Sequence, residues 1–246
     1  MPDPALGPDP GLIEDLVAAN HILADQGVVD AFGHVSARHD KRTDRFLLAR
    51  NMAPGQVSAA DIIEHELDGT PVDAAGRRVY LERFIHGGIY RLHPDVQAVV
   101  HSHSHAIVPL TTLEGFRFRP LCHMAGFIGD GAPMFEIRCV GGDSTDLLIR
   151  DNRLGEALAK CFDNGSRIVM MRGHGSTVVA PSVRLAVYRA VYAEMNARYL
   201  LDAVKVGEPT YLTPGEARSA MESTEGQVER PWNLWKARAA QRLAEV

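Results

Sequence analysis

The alternation of apolar and polar positions divides the first third of the chain into one helix and several short strands. Apolar side chains recur at helical spacing from Gly11 to Gln26, and a glycine follows where such a helix would end. Shorter apolar runs bounded by turn residues predict strands over 31–38, 45–50 and 62–67. The Asp68-Gly69 pair after the third run predicts a turn, and therefore a hairpin.

Helical patterns return after this turn. Residues 82–92 place apolar side chains on one face, and the pattern stops at His93-Pro94 because the residue before a proline avoids helical backbone. Ser182 is a good N-cap for a long helix that extends to about Val204. The other predicted helices cover 106–113, 147–150, 154–162 and 232–243.

Four further apolar runs predict strands in the second part of the chain. They cover 96–101, 134–138, 167–171 and 176–180. The last two form a hairpin in this interpretation, with His174 at its tip. Hairpin signals outnumber strand–helix–strand crossovers along the whole chain, so the pattern predicts an α/β protein with a mixed sheet covered by helices.

Histidines stand where two of these strands end. His101 and His103 follow an apolar run, and residues two apart in a strand point to the same face. His174 lies between two glycines after a later strand, and Glu82 lies at the start of a helix. Three imidazoles and a carboxylate from separate segments would form a metal site with one position open for substrate. The other interpretations are hydrogen-bonded core histidines or an adventitious surface metal binder, and the apolar context favours the metal site.

Composition narrows the class of protein without identifying it. The 246 residues are 46% hydrophobic and 23% charged, which is ordinary for one globular domain with or without a tail. A formal net charge of −5 argues against a nucleic-acid partner. We expect no membrane segment and no signal peptide. Three cysteines without CxxC spacing are typical of a reducing compartment, so we expect a cytoplasmic protein.

From Leu12 to Tyr199 the chain resembles the class II aldolase/adducin family. The resemblance is carried by Glu82, the His101-Ser102-His103 pair and Gly173-His174-Gly175, in the family's order and with similar separations. It implies a three-layer α/β/α sandwich with a mixed, mostly antiparallel central sheet. It also implies a homotetramer with active sites at subunit boundaries. The implied roles are metal ligation by the three histidines and acid/base catalysis by the glutamate.

The same resemblance predicts the domain organisation. Residues 10–205 would form the class II aldolase/adducin-like catalytic domain, and 206–246 a helical C-terminal extension that packs on the same or a neighbouring subunit. Trp232 and Trp235 would anchor that extension, by packing alone or by lining a neighbour's pocket.

Departures from the family pattern point to the substrate. Members that act on sugar phosphates hold the phosphate with Gly-Asn-x-Ser, Ser-Gly and Ser-Ser segments. Here the corresponding segments contain His34, Arg50-Asn51 and Tyr80-Leu81. Arginine can clamp a carboxylate through two parallel hydrogen bonds, and a tyrosine ring can stack on a flat substrate. We therefore expect Arg50, Asn51 and Tyr80 to bind a small carboxylated, aromatic molecule instead of a phosphate.

These segments are similar to the branch of the family that decarboxylates dihydroxyphthalates and 3-hydroxy-2-methylpyridine-4,5-dicarboxylate. The segments around His34, His123 and His174 also look like that branch. The resemblance implies non-oxidative decarboxylation of a hydroxylated aromatic (di)carboxylate, with His34 and Glu82 as catalytic residues and His123 in substrate binding. The expected cofactor is a divalent metal ion, Zn²⁺ first, with Mn²⁺, Co²⁺ or Fe²⁺ as alternatives.

Three other functions stay open at this point. One is a class II aldolase that acts on an unphosphorylated keto acid or sugar. Another is a non-haem iron oxygenase on the same scaffold. The third is an adducin-like scaffold, which would hold no metal and catalyse no reaction.

Overall fold

The structure is a computed structural model that describes residues 7–244, with side chains to residue 242. Several predicted helices are present with small differences at their ends, among them the long helix capped by Ser182, whose hydroxyl accepts a hydrogen bond from the Leu185 N–H. The α-helices are α1 (Pro10–Asp25), α2 (Arg83–Leu92), α3 (Ile107–Leu110), α4 (Arg138–Gly141), α5 (Asn152–Ala159), α6 (Val183–Val206), α7 (Pro214–Glu225) and α8 (Glu229–Ala244).

Seven strands form one sheet in the order β3-β2-β1-β4-β7-β6-β5. Neighbouring strands are antiparallel except for β5 and β6, which are parallel. This confirms the prediction of a mixed, mostly antiparallel sheet. The strands are β1 (His34–Arg38), β2 (Arg45–Ala49), β3 (Ile62–Glu66), β4 (Ala98–Ser102), β5 (Met134–Phe135), β6 (Ile168–Met171) and β7 (Gly175–Ala180).

Both faces of the central strands are buried, so their apolar residues are continuous instead of alternating. Val99 and Val179 pack into a core that also contains side chains of α2 and α5. Val100 and Val178 point to the opposite face and pack into a core that contains side chains of α1, α6 and α8. Successive side chains of a strand point to opposite faces, so the sheet is the middle of three layers. The predicted α/β/α sandwich is confirmed.

The C-terminal helices pack on this same chain. Trp232 and Trp235 of α8 are buried, and α8 lies against α1. Helix α7 packs on a short 3₁₀ helix at His123–Ile128, where an added Cβ on Gly126 would meet the Ala217 carbonyl oxygen at 2.4 Å. The division of the chain into a domain over 10–205 and an extension over 206–246 stays a prediction.

Several of the predicted elements differ from the structure. The helix expected over 106–113 covers only Ile107–Leu110, and the strand expected over 31–38 begins at His34. The helix expected over 147–150 is absent, because Leu147 has a left-handed backbone (φ +70°), and the segment that follows has no regular secondary structure. The strand expected over 134–138 ends at Phe135, and Arg138 already begins α4. Within residues 7–244, no helix is both long and apolar enough to cross a bilayer.

Candidate metal centre

Three imidazoles converge where β4 and the β6–β7 hairpin end. The Nε2 atom of His103 lies 3.0 Å from Nε2 of His101 and 2.9 Å from Nε2 of His174. The Oε2 atom of Glu82 lies 3.6, 3.9 and 3.4 Å from Nε2 of His101, His103 and His174, respectively. The structure therefore brings together all four residues that the sequence predicted as a metal site.

The sheet register fixes His101. It lies opposite His34 of β1 on one side and opposite Thr177 of β7 on the other. Its Nδ1 is 3.2 Å from the Thr177 Oγ1, and that hydroxyl donates its own hydrogen to the Met171 sulfur. The hydroxyl oxygen must therefore accept from His101 Nδ1–H, which leaves the Nε2 lone pair free to face the other two rings.

The hairpin loop that carries His174 is held close to β4. Gly173 adopts a left-handed backbone (φ +64°) and its N–H donates to the Thr111 hydroxyl at 2.9 Å. Gly175 lies so close to β4 that an added Cβ would be 2.0 Å from the Ser102 carbonyl oxygen. Gly175 is thus required by the close approach of two backbones, and Gly173 is favoured by its left-handed backbone.

One carboxylate oxygen of Glu82 is held by a backbone hydrogen bond, and the other faces the three imidazoles. Its Oε1 accepts a hydrogen bond of 2.9 Å from the Ile149 N–H, and its Oε2 points to the three imidazoles. Burial alone would raise the pKa of Glu82, but the adjacent His101 and His174 lower it well below its ordinary value. The carboxylate is therefore ionised at neutral pH.

The donor set fits a divalent cation. Burial lowers the pKa of His101, and burial with the neighbouring histidines lowers that of His103 to about 3, so both rings are neutral. The lone pairs on the ring nitrogens and on the carboxylate oxygen repel one another at these distances unless a cation lies between them. Ligands about 2.0–2.2 Å from one ion are at most about 4.4 Å apart, and the distances of 2.9–3.9 Å lie inside that limit.

A cavity of about 380 Å³ opens onto this cluster. His34, Glu82 and His103 line its inner end. Its mouth is largely apolar, and Phe32 and Leu81 there are 67% and 53% exposed. The remaining wall is formed by Ala31, Gly33, Asn51, Met52, Ala53, Tyr80 and Leu148.

The predicted substrate-binding residues are distributed unevenly around this cavity. Asn51 and Tyr80 line it, although the Tyr80 hydroxyl donates to the Met52 carbonyl and burial raises the pKa of Tyr80 to about 12. Arg50 does not line it, and its Nε donates to Asp61 Oδ1 at 2.6 Å. His123 lines a different cavity, formed with α6 and α8, and the chain does not bring it to its own metal cluster.

Sequence reasoning missed several residues that support the site. Ile149 and Thr177 act through Glu82 and His101, and His86 lies in α2 with Nε2 2.6 Å from His34 Nδ1. One available signal was the spacing of His86 four residues after Glu82, which places both on one side of the start of α2. The contribution of Ile149 is a backbone N–H, so its side chain carries no such signal.

Comparisons with known proteins agree with the geometry. A family model described as the Class II Aldolase and Adducin N-terminal domain matches residues 14–201. Decarboxylase tropJ of Talaromyces stipitatus is 38% identical, over 91% of this chain and 92% of that protein. A 3,4-dihydroxyphthalate decarboxylase of a Terrabacter strain is 31% identical, over 82% of this chain and 85% of that protein.

A solved structure shows the same fold. The L-fuculose 1-phosphate aldolase from Glaciozyma antarctica superposes with a TM-score of 0.77 at 20% sequence identity. The match covers 96% of this chain and 90% of the aldolase. At that identity the likeness concerns the architecture alone.

Proposed function

Because the chain belongs to the class II aldolase and adducin family, we propose that it is a metal-dependent decarboxylase of hydroxylated aromatic carboxylates. Family membership confirms the resemblance drawn from the sequence, and with the decarboxylase relatives it makes this chain a lyase. The observation that supports decarboxylation by a metal ion is the convergence of four side chains, His101, His103, His174 and Glu82, two of which, Glu82 and His103, line one cavity.

The chain's own residues supply the metal ligands. His101, His103 and His174 would hold the ion with neutral nitrogens, and Glu82 would balance its charge. When bound, a divalent cation draws electron density from the carbon–carbon bond that breaks. Thr177 and Ile149 fix the orientation of the ligands, and such outer partners commonly contribute 10–100-fold in metal affinity.

Decarboxylation also requires a proton. The bond between the ring carbon and the carboxyl group breaks, carbon dioxide leaves, and the ring carbon takes up one proton. His34 lines the cavity, which supports a role as the proton donor. Glu82 lines the same cavity and is ionised before the reaction, which supports a role as the group that accepts or returns a proton. We assign the acid/base chemistry to these two residues.

The walls of the cavity favour a flat, apolar body with a few polar substituents. Phe32 and Leu81 expose apolar side chains at the mouth of the cavity. The centroids of the Tyr80 and His34 rings lie 4.7 Å apart. Arg50 does not line the cavity, but it precedes Asn51, which does, and it uses only Nε to hold Asp61. Among the described residues no partner is recorded for its terminal nitrogens, and these would donate to a substrate carboxylate. Asn51 is exposed beside Arg50. We propose that these two residues orient the carboxyl groups.

The remaining assignments follow the family. We propose Zn²⁺ as the native ion, because three imidazoles and a carboxylate suit it, with Mn²⁺, Co²⁺ and Fe²⁺ as competitors. We also propose a cytoplasmic homotetramer that takes a small carboxylated substrate and binds neither nucleic acid nor membrane. His123 would then bind substrate only if it reaches the site of a neighbouring subunit.

The experiment is a carbon dioxide release assay. The chain is stripped of metal, reloaded with each of the four ions, and offered hydroxylated phthalates and pyridine dicarboxylates. We expect metal-dependent release without oxygen. Pyruvate release from a keto acid would instead establish an aldolase, and a strict requirement for oxygen and Fe²⁺ an oxygenase. If the chain binds no metal and releases nothing, the enzyme proposal is wrong.

A further inference from the structure

A chain of buried hydrogen bonds leads away from the metal centre beneath α2. His34 Nδ1 lies 2.6 Å from His86 Nε2, and His86 Nδ1 lies 2.6 Å from the Ser36 hydroxyl. The Ser36 hydroxyl lies 2.7 Å from the Tyr90 hydroxyl. All four residues are at most 3% exposed, and the proposed reaction uses only His34. We call these four residues the hydrogen-bond chain.

The number of hydrogens restricts how the hydrogen-bond chain can be arranged. Each residue in its neutral form carries one polar side-chain hydrogen, and the two imidazoles are counted as neutral because both are buried and their recorded hydrogen-bond partners carry no negative charge. Four hydrogens serve three contacts, so one hydrogen is left over. It is the Tyr90 hydrogen, pointing away from Ser36, the Ser36 hydrogen, if the Ser36 oxygen accepts from both neighbours, or a hydrogen on His34 Nε2.

The surroundings distinguish these three positions. The Tyr90 and Ser36 hydroxyls are buried, and among residues 7–242 Tyr90 has no acceptor other than Ser36, and Ser36 none other than His86 Nδ1 and the Tyr90 hydroxyl. A hydrogen left over at Tyr90 or at Ser36 would therefore be a buried donor without a partner. His34 Nε2 lies on the ring edge opposite His86, on a residue that lines the substrate cavity. A hydrogen there can meet water or substrate.

We propose that Tyr90, Ser36 and His86 hold His34 in the tautomer that carries its hydrogen on Nε2, so that His34 presents a donor to the cavity. Tyr90 donates to Ser36, Ser36 donates to His86 Nδ1, and His86 Nε2–H donates to His34 Nδ1. The three are positioning residues, because they act through His34. The functional role of this tautomer rests on the proposed function, because a donor at His34 Nε2 is useful only if a substrate takes up a proton or accepts a hydrogen bond there.

The arrangement also separates the roles of the two acid/base residues. Glu82 is ionised and can only accept, whereas His34 in this tautomer can only donate from Nε2. Arg38 lies over the Tyr90 ring at 4.8 Å and donates to the Tyr90 carbonyl at 2.6 Å, so the far end of the hydrogen-bond chain is fixed in place. The tautomer is therefore set by the fold before substrate arrives.

Nitrogen-15 NMR of the full zinc-loaded chain tests this directly. Protonated and unprotonated ring nitrogens differ widely in chemical shift, and the His34 signals are identified by their loss in His34→Gln. We expect the Nε2–H tautomer to exceed the Nδ1–H tautomer by roughly tenfold or more, the ratio that an unpaired buried donor implies. A dominant Nδ1–H tautomer, or equal populations, would overturn the proposal. This measurement needs no turnover, so it can fail while the decarboxylase assignment stands.

Tyr90→Phe provides the second measurement. Without the phenol, the Ser36 hydroxyl is free to rotate, and we expect the tautomer ratio of His34 to fall several-fold towards equality. Tyr188→Phe is the matched control, since it also removes a phenol from a buried ring but lies in α6, away from the hydrogen-bond chain. An unchanged ratio in Tyr90→Phe, or an equal fall in the control, would contradict an ordering role for Tyr90.

Discussion

Substitution of Gly175 by alanine should remove metal binding without touching a ligand. The added Cβ would lie 2.0 Å from the Ser102 carbonyl oxygen, whereas real Cβ atoms essentially never approach closer than 3.0 Å. The backbone must therefore shift by about 1 Å. Because His174 precedes Gly175 and Ser102 lies between His101 and His103, this shift separates the third imidazole from the other two.

The size of the effect follows from coordination distances. A ligand must lie within about 0.2 Å of its ordinary distance from the ion, so a displacement of about 1 Å breaks one bond. Loss of an outer partner alone weakens metal binding by about 10–100-fold, and loss of a ligand should weaken it by at least ~100-fold. Overpacking should also lower the free energy of unfolding by about 1–3 kcal/mol.

Competition with a chromophoric zinc chelator measures this affinity, and circular dichroism confirms that the variant is folded. Gly215→Ala is the control, because a Cβ there meets nothing within 4 Å. Wild-type zinc affinity in a folded Gly175→Ala chain would refute the argument that close packing of β7 on β4 assembles the site.

Three further outcomes follow from other contacts. Glu82→Gln should lower the rate of carbon dioxide release by at least ~100-fold while elemental analysis still finds zinc on the three imidazoles; near-normal turnover would reject the acid/base role. Glu225→Gln should lower the free energy of unfolding, measured in urea, by about 3 kcal/mol, because it leaves the buried Arg189 guanidinium without its carboxylate; no change would show that Arg189 finds another partner. Hydrogen bonds from Ser58 and then Arg50 lower the pKa of Asp61 from 3.8 to about 2, so the stability that Asp61 adds is present above pH 4 and is lost as the pH falls towards 2. Urea unfolding of the wild type and Asp61→Asn should therefore differ at pH 6 and converge near pH 2, and a constant difference would contradict this.

Much of the metal centre could be predicted because its signals are local in the sequence. His101 and His103 share a face through strand alternation, and the glycines on both sides of His174 indicate that backbone and ligand approach closely there. The distance between the segment of His101 and His103 and the segment of His174 could not be predicted locally, because it depends on the pairing of β4 with β7. His86 was not predicted as part of the site although its spacing from Glu82 was a local signal, because its contact with His34 at 2.6 Å depends on the packing of α2 on β1.

Other features depend on contacts that a helical or strand pattern does not encode. The segment at 147–150 has helical composition, yet the Ile149 N–H is used by Glu82 and the backbone at Leu147 is left-handed. Arg50 was expected to meet a carboxylate, and the carboxylate nearest to it in the structure belongs to Asp61. Helix α7 was missed although Thr213 and Glu216 form a capping box, so that signal was present in the sequence.

The central claim is that three imidazoles and one carboxylate hold a divalent cation. The most direct measurement is the number of zinc ions that each chain retains after loading and removal of free metal, determined by elemental analysis for the wild type and for His103→Ala. We predict one ion per wild-type chain and none in the variant, with both proteins folded. A wild-type chain that retains no zinc, or a variant that retains as much as the wild type, would contradict the claim.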